Sequence, residues 1–224
     1  QGEAIERAFP KRFSDKLRVV LPGVALPDPA TLDPDRWRGQ LSIAPSDLLA
    51  LHVAGIRRVK GIHEGLALVD ALKTRVSGLR YVLAGPVIEA DYARPVLDWF
   101  KSRPWASHVA DVSFNDMPSL YAASDFNVNT SQAEGVSNAV LEAMACGRVV
   151  LAHDIAGNAA VIRHGQNGLL YRNDAEFLEL AMRLARDSAL RSSLGQSARE
   201  YVTMLHTHES EKRLLLAALN EAIS

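Results

Sequence analysis

The chain has 224 residues, 48% apolar and 23% charged, with 25 Lys and Arg against 26 Asp and Glu for a net charge of −1. This is the composition of a folded chain of one domain or one and a half, and it excludes a largely disordered one. Near-zero charge supplies no bulk basic field for nucleic acid or an anionic membrane, so an anion site has to be local.

Glu3–Phe9 closes a helix, and Leu17–Leu21 (LRVVL) reads as a short strand ended by Pro22-Gly23. Pro27, Pro29 and Pro34 forbid long elements, so this stretch reads as a linker with helical turns near Trp37. From Leu48 the pattern is regular. Leu48–Val53 (LLALHV) is a strand, and Ile62, Leu66, Val69, Leu72 and Val76 mark one helix face. Strand Leu79–Ala84, helix Tyr92–Lys101, strand Val109–Val112, helix Met117–Ala123 and strand Phe126–Val128 follow. Asn138–Cys146 is a helix that Gly147 caps, Val149–Ala152 a strand, Ala159–His164 a short helix and Gly168–Tyr171 the last strand. Helices over Ala175–Asp187, Leu190–Leu205 and Ser210–Ile223 complete the chain. Short, continuously apolar strands alternating with helices predict an α/β fold: a parallel six-stranded sheet with helices on both faces. Ligands of such sheets bind beyond the carboxyl ends of the strands, in the loops from Ala54, Ala84, Ser113, Asn129, His153 and Arg172.

Several chemistries find no residues. GxGxxG and GxxxxGK[ST] are absent, as is a GxSxG elbow. The lone Cys146 excludes an intramolecular disulfide and a multi-cysteine metal site, and suits a reducing, cytoplasmic setting. His206 and His208 point to different sides of a helix, so no metal site is expected. Asp33-Pro34-Asp35 has the form of a DxD metal motif, but a helix start explains it better. Asn129-Thr130-Ser131 has the form of a glycosylation sequon beside the best site candidate, and is discounted. The few aromatics are not interleaved with basic residues, so no nucleic-acid partner is expected. No apolar run approaches the ~18 residues that span a bilayer and no signal peptide is read, leaving peripheral membrane contact only.

One stretch carries chemistry: Glu134-Gly-Val-Ser-Asn-Ala-Val-Leu-Glu142-Ala-Met-Ala-Cys-Gly147. A glutamate sits in the loop after a strand. A glycine and Ser137, a candidate N-cap, lead into a helix that carries a second glutamate. The helix N-terminus offers free N–H groups and about half a positive charge to an anion, and Gly135 permits close approach. Glu142 lies one turn further on beside small, core-facing residues, where a carboxylate needs partners. The two hydroxyls of a ribose can supply them.

This stretch resembles the E-x7-E signature of group-1 (GT4-like) glycosyltransferases of the GT-B class. The resemblance extends from about Leu48 to Val202, through Ala54-Gly-Ile-Arg-Arg-Val-Lys-Gly61, Tyr81-Val-Leu-Ala-Gly85, Met117-Pro-Ser-Leu-Tyr-Ala-Ala-Ser-Asp125 and Gly165-Gln-Asn-Gly-Leu-Leu-Tyr171. It implies a Rossmann-like domain, the C-terminal, donor-binding half of a GT-B fold. It implies a retaining, metal-independent transfer of a hexose from a nucleoside diphosphate sugar, UDP on family frequency, to an acceptor the sequence does not name. In the family the first glutamate meets donor-sugar hydroxyls, which points to Glu134. The second holds the ribose, which points to Glu142. Amides after the first meet sugar and phosphate, which points to Gly135, Val136 and Ser137. An arginine and a lysine clamp the diphosphate, which points to Arg57 and Lys60, with Arg58 the alternative to Arg57. Two cations about 4 Å from a leaving diphosphate each contribute on the order of 4 kcal/mol at an effective dielectric near 20. That stabilisation grows as the sugar–phosphate bond breaks.

The chain departs from the family in two places. The interval from Gly55 to Lys60 is one residue shorter than G-R-x4-K-G, giving the R-x-x-K of a subset of the family. The loop Ala156-Gly-Asn-Ala-Ala160 lacks the usual Pro and Glu, and Asn158 there either shapes a turn or reaches the sugar. The resemblance divides the chain into residues 1–40 (end of an N-terminal domain and linker), 41–205 (nucleotide-sugar domain) and 206–224 (a helix packing back toward that N-terminal domain through Leu214, Leu215, Ala218 and Ile223). Without the N-terminal partner the chain is expected to bind donor and transfer poorly. Two other functions share the fold: a catalytically silent sugar-nucleotide-binding or interaction module, and an epimerase or phosphorylase.

Overall fold

The structure, a computed structural model, describes Arg18 and residues 20–223. The helix expected at Glu3–Phe9 lies outside these residues, as do Leu17 and Val19 of the expected strand. Val20 and Leu21 are not in a strand. Val24 forms an isolated parallel bridge with Thr207, and its N–H donates to the His206 carbonyl at 2.8 Å. The segment runs over a helix junction rather than a sheet edge, so it has no strand to pair with.

Among the described residues the elements run α1 (Pro34–Gln40), β1 (Leu48–Val53), α2 (Ile62–Lys73), β2 (Leu79–Ala84), α3 (Ala90–Lys101), β3 (Ala106–Val109), α4 (Met117–Ala123) and β4 (Phe126–Asn129). They continue with α5 (Asn138–Ala145), β5 (Val150–His153), α6 (Ala156–Ala159), β6 (Leu169–Tyr171), α7 (Asp174–Arg186), α8 (Ser188–Leu205) and α9 (His208–Ile223). Pro34 opens α1 at its first position, and the Asp33 carboxylate accepts the Arg36 amide at 3.0 Å. The Asp-Pro-Asp motif is therefore a helix start, as expected.

All six strands are parallel, in the order β3-β2-β1-β4-β5-β6. β1 shows why its sequence is apolar apart from His52. Leu48 and Ala50 join a core with α2, α3 and α7, while Leu49 and Leu51 join a second core with α1, α4, α5 and α8. A strand with two buried faces has no solvent-facing position to offer, and its one polar side chain, His52, is buried against the Tyr81 hydroxyl.

Two expectations are corrected. The third strand is Ala106–Val109, not Val109–Val112. β3 is an edge strand whose last three residues are half-buried, so Ser107 and His108 are tolerated there and hide it from an apolar reading. Ala110–Val112 lies past the sheet, where it lines a cleft. The short helix is Ala156–Ala159, not Ala159–His164. It starts early because the buried Asn158 side chain ties it to β4 and β5.

The chain order reverses between β1 and β4: β2 and β3 extend the sheet on one side, β5 and β6 on the other. Loops leaving adjacent strands diverge at such a point and open a crevice.

Candidate active site

A cleft of about 740 Å³ opens at that reversal, beyond the carboxyl ends of β1, β2 and β4. Its walls include Arg57 and Lys60 from the loop after β1, Gly85 and Pro86 after β2, and Asp111 and Val112 after β3. Glu134, Val136, Ser137 and Glu142 close it from the β4–α5 side. Of the residues read from sequence, Arg57, Lys60, Glu134, Val136, Ser137 and Glu142 thus share one cavity. Gly135 joins Glu134 to Val136 but is not itself a wall.

The loops after β1 and β4 are latched together. The Gln132 amide donates to the Val59 carbonyl at 2.9 Å, and the Thr130 hydroxyl donates to the Lys60 carbonyl at 2.8 Å. The latch brings the Lys60 ammonium onto Glu134 Oε1, which also accepts the Ser131 hydroxyl at 2.8 Å. Asn129 Oδ1 in turn accepts the Ser131 amide at 3.1 Å and the Asn158 amide group at 3.0 Å. Asn158, fully buried, also donates to the His153 carbonyl at 2.9 Å. It therefore shapes the loops and does not line the cleft. Asn129 is buried as well, which removes the sequon as an accessible acceptor.

Gly157 sets the height of the glutamate loop. A Cβ there would stand 2.5 Å from the carbonyl oxygens of both Glu134 and Gly135, closer than any side chain can pack. The loop that lacks the usual Pro and Glu thus supports Glu134 through backbone contact.

Ser137 occupies the N-cap position of α5 with extended backbone, but its side chain makes no capping hydrogen bond. The expected position is right and the expected bond is not formed. The Ser137 carbonyl accepts the amides of Val140 and Leu141 at 3.1 Å each. The amides of Asn138 and Ala139 have no acceptor among the described residues, and both residues line the cleft. At the far end Gly147 adopts left-handed backbone (φ 68°), the cap its position predicts.

Glu142 is half-buried, and its Oε2 accepts the Tyr121 hydroxyl at 3.0 Å. Burial pushes the carboxyl above its ordinary range, and the Tyr121 hydrogen bond pulls it down. Tyr121 was not singled out from sequence. A phenol in a largely apolar helix needs a hydrogen-bond partner when buried, and that is the available signal. Behind the cleft, His52 on β1 is buried with Nδ1 2.9 Å from the Tyr81 hydroxyl. Burial, then the nearby Lys60 charge, pushes His52 down to about 3, so it is neutral.

The two arginines separate. Arg57 is exposed and lines the cleft, and its side chain has no hydrogen bond or ion pair among the described residues. The Arg58 guanidinium instead lies 5.5 Å over the Tyr92 ring, and its amide donates to Glu89 Oε2 at 3.2 Å. His206 and His208 do not meet on one face: His206 is buried, with Nδ1 2.9 Å from the Pro22 carbonyl, while His208 opens α9. No described helix is long and apolar enough to cross a membrane.

Comparison with known proteins agrees with this architecture. The chain is 29% identical over 160 residues to glycosyltransferase 1 domain-containing protein 1 of Xenopus tropicalis, covering 71% of this chain and 46% of that protein. It is 25% identical over 173 residues to N-acetyl-alpha-D-glucosaminyl L-malate synthase of Bacillus anthracis, covering 76% and 44%. The chain therefore spans about half the length of the curated relatives it matches. Its fold is shared with the Anabaena protein HepE, solved in complex with UDP-glucose, at a TM-score of 0.86 and 22% identity, covering 98% of this chain and 61% of that one. Such neighbours are GT-B glycosyltransferases, and the sheet is the open Rossmann-like kind they contain. Residues 33–201 match the family of glycosyl transferases group 1, and the chain belongs to that family.

Proposed function

We propose that the chain is the donor-binding half of a retaining glycosyltransferase that takes a hexose from a nucleoside diphosphate sugar, with UDP as the nucleotide. The observation that carries this reading is the convergence of Arg57, Lys60, Glu134, Glu142 and the α5 N-terminus on one cleft at the sheet's reversal point. Glu142 takes the ribose hydroxyls. The unpaired amides at the start of α5 and the cations Arg57 and Lys60 take the diphosphate. Glu134 takes donor-sugar hydroxyls, steadied by Ser131.

As the bond from sugar carbon to phosphate oxygen breaks, the electron pair goes to the diphosphate. Arg57 and Lys60 then face more negative charge than in the ground state, so they favour the transition state over the bound donor. In this reading the fixed cations neutralise the leaving group and no metal cofactor is required. HepE's complex with UDP-glucose supports UDP as the nucleotide. The acceptor site belongs to an N-terminal half. Leu215, Leu216 and Leu219 of α9 are 48%, 50% and 49% exposed, an apolar stripe suited to cover by that half. The isolated chain is accordingly expected to bind donor and to turn over poorly.

Calorimetric titration of UDP, GDP and ADP into the chain and into Glu142→Ala tests the reading. Saturable binding of UDP, weakened more than about tenfold in the variant, is the expected result. Absence of binding both here and in a protein that includes the N-terminal half overturns it.

A further inference from the structure

Glu142 stands in the wall between two cavities. One is the donor cleft. The other, of about 200 Å³, lies between the segment Gly23–Pro27, α4 and the α5 helix, and Tyr121 lines only this second one. The Tyr121 ring is fully buried and its hydroxyl reaches Glu142 Oε2 from behind, at 3.0 Å.

We propose that Tyr121 is the positioning residue for Glu142, holding one carboxylate oxygen so that the group presents its remaining acceptor sites to a ribose. This rests on the reading of Glu142 as the ribose-binding residue. A carboxylate offers about four lone-pair sites, and one phenol occupies a single one. The rest can accept two vicinal hydroxyls. A protonated carboxyl would lose acceptor capacity and become a donor. Burial drives Glu142 toward that protonated form, and the phenol opposes it. The phenol is a dependable donor, because burial and then the Glu142 charge hold its own proton on far above the ordinary range.

The other groups around Glu142 do not duplicate this role. At the C-terminal cap of the same helix the Cys146 thiol is pushed up to about 12, chiefly by burial, and is neutral near pH 7. His208 of α9 lies across the second cavity. Arg57, Lys60, Glu134 and Asp111 stand around the cleft, where none donates a hydrogen bond to Glu142. Tyr121 is the sole protein donor to its carboxylate among the described residues.

The test is Tyr121→Phe, which keeps the ring and deletes the donor. Two readouts are taken: the Glu142 titration midpoint by carbon-13 NMR of the carboxyl without nucleotide, and affinity for UDP and 2′-deoxy-UDP between pH 5 and 8. The midpoint is expected to rise. UDP affinity is expected to fall about five- to tenfold, most steeply toward low pH, with a smaller loss for the deoxy analogue. An unchanged midpoint, or an equal loss for both nucleotides at every pH, overturns the proposal. If neither the parent chain nor a protein that includes the N-terminal half binds nucleotide, the ribose reading fails separately, and the midpoint still decides whether Tyr121 lowers the titration of Glu142. If Tyr121→Phe does not fold, 3-fluorotyrosine at 121 keeps the ring with a stronger donor. The midpoint must then fall, and a static one overturns the proposal.

Discussion

Lys60 and Glu134, 74 positions apart in the chain, form an ion pair at the floor of the cleft, with side-chain exposures of 14% and 11%. The pair is shielded enough that its attraction is weakly screened. A diphosphate entering the cleft competes with Glu134 for the same ammonium and is repelled by the carboxylate. The roles proposed for Lys60 and Glu134 are thus coupled before any ligand is bound.

This coupling sets the sign of a substitution. Glu134→Gln should tighten binding of UDP alone by about threefold or more, because Lys60 no longer has to leave a charged partner. The same variant should lose the extra affinity that a UDP-sugar gains over UDP. Paired calorimetric titrations measure both, and weaker UDP binding in the variant would sink the idea.

Arg57 and Arg58 should behave differently despite being adjacent. Arg57→Ala removes a cation from the cleft wall and should weaken UDP about tenfold. Arg58→Ala removes a guanidinium that lies over Tyr92 and should change UDP affinity less than about twofold. The reverse order would assign the diphosphate contact to Arg58.

Gly157→Ala should displace the loop that carries Glu134, since the added methyl collides with two carbonyl oxygens at 2.5 Å. Overpacking of this kind costs about 1–3 kcal/mol. A lower Tm is expected together with UDP-sugar affinity reduced by at least about tenfold. Retained affinity with a lowered Tm would show that Gly157 supports the fold but not Glu134.

His52 predicts acid sensitivity. Its folded pKa of about 3 lies below the ordinary value of 6.5, so the unfolded chain takes up a proton that the folded chain refuses. Its contribution is present above the ordinary value and is lost as pH falls toward about 3. At pH 5 the loss relative to pH 8 is on the order of 2 kcal/mol. Denaturant melts of the parent and His52→Asn across this range should diverge in slope. Parallel curves would mean that His52 is not the group responsible.

The sequence was most legible where one constraint dominated. β1 and β2 are buried on both faces, so their predominantly apolar stretches, interrupted only by His52 and Arg80, coincide with the strands. The edge strand β3 was misplaced because half-exposed residues satisfy it without an apolar run. Positions at the α5 ends were legible from Ser137 and Gly147, but the missing Ser137 side-chain bond was not, because it depends on which way a buried hydroxyl turns. The Lys60–Glu134 pair and the Tyr121–Glu142 bond were invisible for a different reason. Each depends on which elements become neighbours, and local pattern does not carry that.

The adjacency of β1 and β4, with Ala50 opposite Phe126 and Leu51 opposite Asn127, also fixes when a binding site can exist. During synthesis the stretch through β3 emerges first and already contains Arg57 and Lys60, yet the loop that latches them is still to come. Closing that long interval is a late, entropically costly step of folding. Under the proposed function, nucleotide binding would therefore report a finished sheet. A bound nucleotide should protect the entire domain from heat rather than one loop, by about 2.7 kcal/mol at a hundredfold excess over Kd.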